Sequence, residues 1–98
     1  MASYKLTWLA SQDLENLFEY GIDRFGPDQA CQYFDGLKQR FADIASHPGH
    51  YPAVEHIRKH YRRSVYGIHS IYYTIEDSQI TIVRILGKQD IITSLTPQ

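Results

Sequence analysis

Between Leu14 and Ala45 the sequence carries an apolar stripe of helical period twice, and Gly26-Pro27 divides the two copies. Leu14, Leu17, Phe18, Gly21, Ile22 and Phe25 recur at spacings of three and four, which puts them on one side of a helix. Ala30, Tyr33, Phe34, Leu37, Phe41, Ile44 and Ala45 repeat the pattern in a second helix. Glycine accepts the left-handed conformation that ends a helix, and proline suits a first helical turn, so the pair reads as a stop followed by a start. Two helices joined so tightly lie antiparallel. Ser11 is the expected N-cap of the first helix, with Asp13 and Glu15 suited to the positive end of its dipole. Pro48 disfavours helical geometry at His47 and ends the second helix. Cys31 is expected to be small and partly buried beside the second stripe.

Such a hairpin must bury its stripes, and the flanking sequence supplies strands. Tyr4-Lys5-Leu6-Thr7-Trp8 alternates apolar and polar residues, as a half-buried strand does. Residues 48–60 are loop-like, with Pro48, Gly49 and Pro52 and a short extended piece near Ile57. From Tyr61 onward the chain reads as strands: 69–75 is rich in Ile and Tyr, Asp77-Ser78 can turn, and 79–86 is a second apolar run. Alternation puts Ile80, Ile82, Arg84 and Leu86 on one face and Thr81, Val83 and Ile85 on the other, the pattern of a central strand. The expected fold is α+β, in the order β-α-α-β-β-β, with the helical hairpin packed on one face of a small antiparallel sheet. Residues 1–98 form one expected domain, without internal repeat.

Composition narrows the function. The formal charge is −1, but residues 1–50 hold four Lys/Arg against seven Asp/Glu and residues 51–98 hold six against four. The helical half is acidic and the sheet half basic. No run approaches membrane-spanning length, the N-terminus has no charged-then-apolar signal pattern, and the single Cys31 fits a reducing compartment. A cytoplasmic protein with no membrane partner is expected.

Few residues offer chemistry. His47, His50, His56 and His60 with Glu55 resemble a zinc set only loosely, because the segment lacks helical periodicity, cysteine pairs and an HExxH motif. Solvated loop histidines, and no metal or cofactor, are expected. No nucleophile elbow or phosphate-cradling glycine loop is present. The basic run is more informative: Arg58, Lys59, Arg62 and Arg63 lie close together, interleaved with His56, His60 and Tyr61. It reads either as a charged edge strand or as a phosphate site. Strand alternation sends Arg62 and Arg63 to opposite faces. Arg84, among apolar neighbours, needs a partner, with Glu55 or Asp90 as candidates.

The ordered set of these residues resembles the ParE-type toxins. Leu6-Thr7, Ala10, Asp13-Leu14, Phe25-Gly26, Gln29-Ala30, Tyr33 and Leu37 carry the first half of the likeness. His47-Pro48, Glu55, Arg58, Tyr61-Arg62-Arg63, His69, Tyr72-Tyr73, Ile80, the run from Ile82 to Leu86, and Asp90 carry the second. The resemblance implies the RelE/ParE toxin fold and membership of a type II toxin–antitoxin pair. It implies a toxin that traps DNA gyrase on cleaved DNA and is neutralised by a ParD-type antitoxin, whose C-terminal segment folds over it. DNA would be met only through the antitoxin and gyrase.

Under that reading Arg58, Arg62, Arg63, Arg84 and Lys88 form the target-contact surface. Tyr20, off the first stripe, marks the antitoxin path together with Arg24 and Tyr33. Many relatives follow the arginine strand with Leu-His, where this chain has Leu86-Gly87, and the segment 91–98 lacks the Tyr or His of RelE-type ribonucleases. No catalytic residue is therefore expected. Ribosome-dependent RNA cleavage, with Arg62, Arg63 and Arg84 on phosphate and Tyr61, His60 or His69 moving protons, is the alternative. An inactive or repurposed binding module is the third reading.

Overall fold

The computed structural model describes residues 3–87. Their elements are β1 (Tyr4–Leu6), α1 (Trp8–Phe25), α2 (Pro27–Ser46), a single 3₁₀ turn (Pro48–His50), β2 (Arg62–Tyr66), β3 (His69–Glu76) and β4 (Gln79–Gly87). The sheet order is β1-β4-β3-β2. The β2–β3 and β3–β4 pairs are antiparallel, while β1 runs parallel to β4, so the sheet is mixed. β1 leaves directly into α1, and the chain returns to the sheet only after both helices. Lys88, Asp90 and the segment 91–98 lie outside the described residues.

The first helix begins earlier than its pattern suggests. Thr7, not Ser11, is the N-cap: its Oγ1 accepts the Ala10 amide at 3.0 Å. The same hydroxyl donates to the Val83 carbonyl at 2.7 Å, and the Thr7 amide donates to Ile82 O at 3.0 Å. One residue thus ends β1 on the sheet and starts α1, which moves Trp8 from the expected strand to an exposed helical position. Asp13 falls beyond the first turn, where the dipole argument has less force. Its carboxylate instead accepts from Arg84 Nε at 2.7 Å, Arg84 Nη2 at 3.0 Å and the Ile85 amide at 3.0 Å. Among the described residues the partner is thus Asp13 of α1 and not Glu55, while Asp90 lies outside them.

The helices pair as the stripes require. Gly26 sits at φ +87°, its amide closing on Ile22 O at 2.9 Å, and Pro27 opens α2. Phe18 meets Phe34 with ring centroids 4.8 Å apart, and Gly21 faces Ala30, an antiparallel correspondence. Phe25, counted in the stripe, is exposed, and so is Cys31. Both lie near the hairpin's end, clear of the sheet.

β4 does not keep one alternation. Tyr73 is in register with Ile82 but Tyr72 with Arg84, so Val83 is an extra residue, a β-bulge. The strand's faces exchange there. Ile85 joins Ile80 and Ile82 in the core beneath the helices, with Leu37, Phe41, Ile44, Ile71 and Tyr73. Leu86 joins Tyr72 and Val54 in a second, smaller core on the other face, where Ile57 and Tyr61 of the loop 51–61 pack. The expected grouping of Ile80, Ile82, Arg84 and Leu86 is corrected by that single inserted residue.

Removing the Asp13 carboxylate takes one acceptor from a half-buried guanidinium and the acceptor from a strand amide. Asp13→Ala should cost about 2–4 kcal/mol of unfolding free energy, read from urea titration. Asp13→Asn, which keeps an acceptor for Ile85, should cost less. Equal stability of Asp13→Ala and the native chain would show that the pair contributes nothing.

Candidate functional site

A concave apolar surface lies where α1, α2 and the β2–β3 turn meet. Leu17, Phe18, Gly21 and Ala30 line a groove of about 240 Å³, with Tyr20, Phe25, Tyr33 and Ile68 around it. Tyr20, Phe25 and Ile68 are 54%, 58% and 73% exposed, far above what a folded core requires. Arg24 lies 5.5 Å over the Tyr20 ring. Of the residues expected on the antitoxin path, Tyr20 and Tyr33 therefore border one groove, and Arg24 stacks on its rim.

Close backbone approach holds this groove in shape. Gly67, the first of two turn residues between β2 and β3, has φ +57°, and a Cβ there would meet the Tyr33 hydroxyl at 2.5 Å. The Tyr33 hydroxyl lies 3.0 Å from Tyr66 O, to which it donates, and 2.8 Å from His69 Nδ1. Burial raises the Tyr33 pKa above its ordinary value, partly offset by a backbone hydrogen bond from Ile68. A Cβ on Gly36 would overlap the Tyr66 hydroxyl. Tyrosines of α2 and β2 thus fill positions that only glycine leaves open.

From Tyr66 the surface turns cationic. Arg40 of α2 donates to Ser64 Oγ and to Val65 O, each at 2.8 Å, and its guanidinium stands 5.4 Å from the Tyr66 ring and 5.7 Å from the Tyr51 ring. Arg62 Nη1 donates to Tyr51 O at 2.6 Å. Tyr73, which donates to Pro48 O, packs edge-on against Tyr51, and burial pushes its phenol up to about 12 despite the opposing field of Arg62.

The arginines expected on one surface are divided. Arg62 is in register with Tyr73, on the helix side of the sheet, whereas Arg63 is in register with Tyr72 on the other side. Arg84 shares the Tyr72 register and is bound to Asp13. Arg58 is exposed in the loop packed on that second side. His69, a proton-transfer candidate of the ribonuclease reading, is at Tyr33, while Tyr61, His60 and Glu55 line a shallow cleft beside Arg62. No group of three or more His, Cys, Asp or Glu side chains among the described residues is placed to hold a metal ion. Sequence reasoning missed Arg40, although it falls on the second stripe, three residues after Leu37 and four before Ile44. A cation at a stripe position was the available signal.

Two antiparallel helices on a mixed sheet, with an apolar groove beside an arginine-bearing edge, fit one class of small protein, the toxins of type II toxin–antitoxin systems. The family model described as ParE toxin of type II toxin-antitoxin system, parDE, matches residues 4–92. The chain belongs to this ParE toxin family. It is 34% identical over 86 residues to Toxin ParE1 of Caulobacter vibrioides, covering 88% of each chain. It is 33% identical over 87 residues to Toxin ParE1 of Mycobacterium tuberculosis, covering 88% of this chain and 89% of that one. Among solved structures, the fold matches one from a chromosomal ParDE system of P. aeruginosa at a TM-score of 0.76 and 18% identity, over 89% of this chain and 96% of that one. It also matches one from the toxin–antitoxin complex RelBE2 of Mycobacterium tuberculosis at 0.64 and 17% identity, over 89% and 91%. No helix among the described residues is long and apolar enough to cross a membrane.

The Gly36–Tyr66 approach is directly testable. Gly36→Ala should lower stability by about 1–3 kcal/mol through overpacking, seen in thermal denaturation. Pairing it with Tyr66→Leu, which shortens the side chain, should return part of the loss. A single Gly36→Ala variant as stable as the native chain would contradict the packing described.

Proposed function

We propose that this chain is a cytoplasmic toxin that traps DNA gyrase on cleaved DNA, and that a ParD-type antitoxin neutralises it by covering the groove beside Tyr20, Phe25, Tyr33 and Ile68. The observation that carries the antitoxin half is the exposure of those apolar residues around one depression, which suits an amphipathic segment that folds on binding. The gyrase half rests on family membership. It is supported by the dispersal of the basic residues, which suits an extended protein contact better than a single phosphate-holding centre. Arg58, Arg63 and Arg84, with Lys88, are the residues we assign to target contact; Arg62 faces the helix side of the sheet.

Induced expression should trigger the DNA-damage response, and the purified protein should stabilise gyrase-linked DNA breaks in a supercoiling reaction. Cutting of messenger RNA within ribosomes, with gyrase working normally, would instead establish the ribonuclease alternative.

For the antitoxin, truncating an aromatic at the rim removes contact area that only a bound partner would cover. Tyr20→Ala should weaken binding about tenfold, measured by calorimetry. Unchanged affinity removes Tyr20 from the antitoxin path.

A further inference from the structure

Three arginines of the sheet and its flanking helix are half-buried and bound in place, and they differ in what they face. Arg84 has the Asp13 carboxylate at 2.7 Å, in the one ion pair found among the described residues. Among the described residues, Arg40 has only Ser64 Oγ and Val65 O, and Arg62 only Tyr51 O, as hydrogen-bond acceptors. All three acceptors are neutral. They orient the guanidiniums without cancelling their charge, and a partly desolvated charge gains most from an opposite one.

Their position adds a second observation. The rings of Tyr33 and Tyr66 are 5.1 Å apart, Arg40 stands over Tyr66 and over Tyr51, and Arg62 holds the Tyr51 carbonyl. Tyr33 borders the apolar groove. A continuous track therefore runs from the groove, along the α2 side of β2, to two guanidiniums that pair with no carboxylate among the described residues.

We propose that Arg40 and Arg62 receive Asp or Glu side chains of the same antitoxin segment whose apolar residues fill the groove. This rests on the antitoxin reading of the groove above and extends it to charge. A peptide suits the track better than a nucleic acid does. Asp43 is exposed on α2 three residues after Arg40, and a chain of phosphates along this side would meet it. A peptide can place one carboxylate at each guanidinium and neutral residues between. The partner segment thus carries an apolar cluster followed, at one end, by separated acidic residues.

The test uses the full chain and the purified product of the reading frame adjacent to its gene, with a labelled 20-base-pair duplex as the nucleic-acid probe. Wild-type affinity for the adjacent product should fall as salt rises from about 0.1 to 0.5 M, as screened charge pairs require. Arg62→Gln should weaken binding about tenfold to a hundredfold and flatten the salt dependence. Arg40→Gln should do the same; because Arg40 also fastens α2 to β2, Arg40→Lys and the melting temperature of each variant separate folding from contact. Ile68→Ala should weaken binding with the salt slope unchanged.

If folded Arg62→Gln and Arg40→Gln bind as the wild type does with the same salt slope, while Ile68→Ala weakens binding, the charge proposal fails and the groove reading stands. If Ile68→Ala also leaves binding intact, or the adjacent product does not bind, the groove reading fails and takes this proposal with it. Duplex binding that Arg62→Gln abolishes would make the track a nucleic-acid site and overturn the proposal.

Discussion

The carboxylate of Asp13 accepts from Arg84 and from the Ile85 amide, and through it α1 is joined to the outer edge of β4 where β1 stops. β1 pairs with β4 only over Ile80, Thr81 and Ile82. Beyond that, Thr7 meets the carbonyls of Ile82 and Val83, and Asp13 takes the next outward amide. A helix thus completes the sheet edge that a three-residue strand cannot cover. Backbone groups left open there would cost free energy or recruit another chain. The same contacts fix how α1 lies on the sheet, and α2 follows through the Gly26-Pro27 turn. The groove between the helices and the β2–β3 turn is in turn a product of that placement.

Much of this architecture could be read from the residues. Helical periodicity located both helices, Gly26-Pro27 located their junction, and Asp77-Ser78 located a hairpin turn whose residues both take positive φ, at 49° and 65°. Three things could not be read. Thr7 acts as cap and sheet partner together, a role that needs Val83 to be across from it, 76 residues away. Asp13 looked like a dipole-favouring residue because local sequence offers no view of Arg84. Arg40 sat on an apolar stripe, and only the fold shows that the stripe ends there among tyrosines rather than in the core. Local chemistry was legible, whereas side chains that serve distant backbone were not.

The candidate site was legible to a similar degree. Tyr20 could be marked as exposed because it leaves the stripe, and Tyr33 and Arg24 prove to be its neighbours at the groove. Alternation already sent Arg62 and Arg63 of the basic run to opposite faces, whereas the pairing of Arg84 with Asp13 was not legible. What results is a molecule with arginines on both sides of its sheet. The helix side holds the groove, Arg40 and Arg62, and the opposite side holds Arg63 in register with Tyr72. Two protein partners could address such a molecule without sharing one surface.

The inserted Val83 has a consequence for comparing this chain with its relatives. It divides β4 into two segments of opposite phase, so odd and even positions exchange meaning partway along one strand. A substitution to a charged residue at Ile85 enters the helix-covered core, yet an unbroken alternation counted from Ile82 would score that position as facing away. Where a related chain lacks the extra residue, an alignment that keeps strand length constant will match core positions to outward ones beyond it. The register with β3, rather than the hydrophobic pattern of β4 alone, is the reliable ruler there.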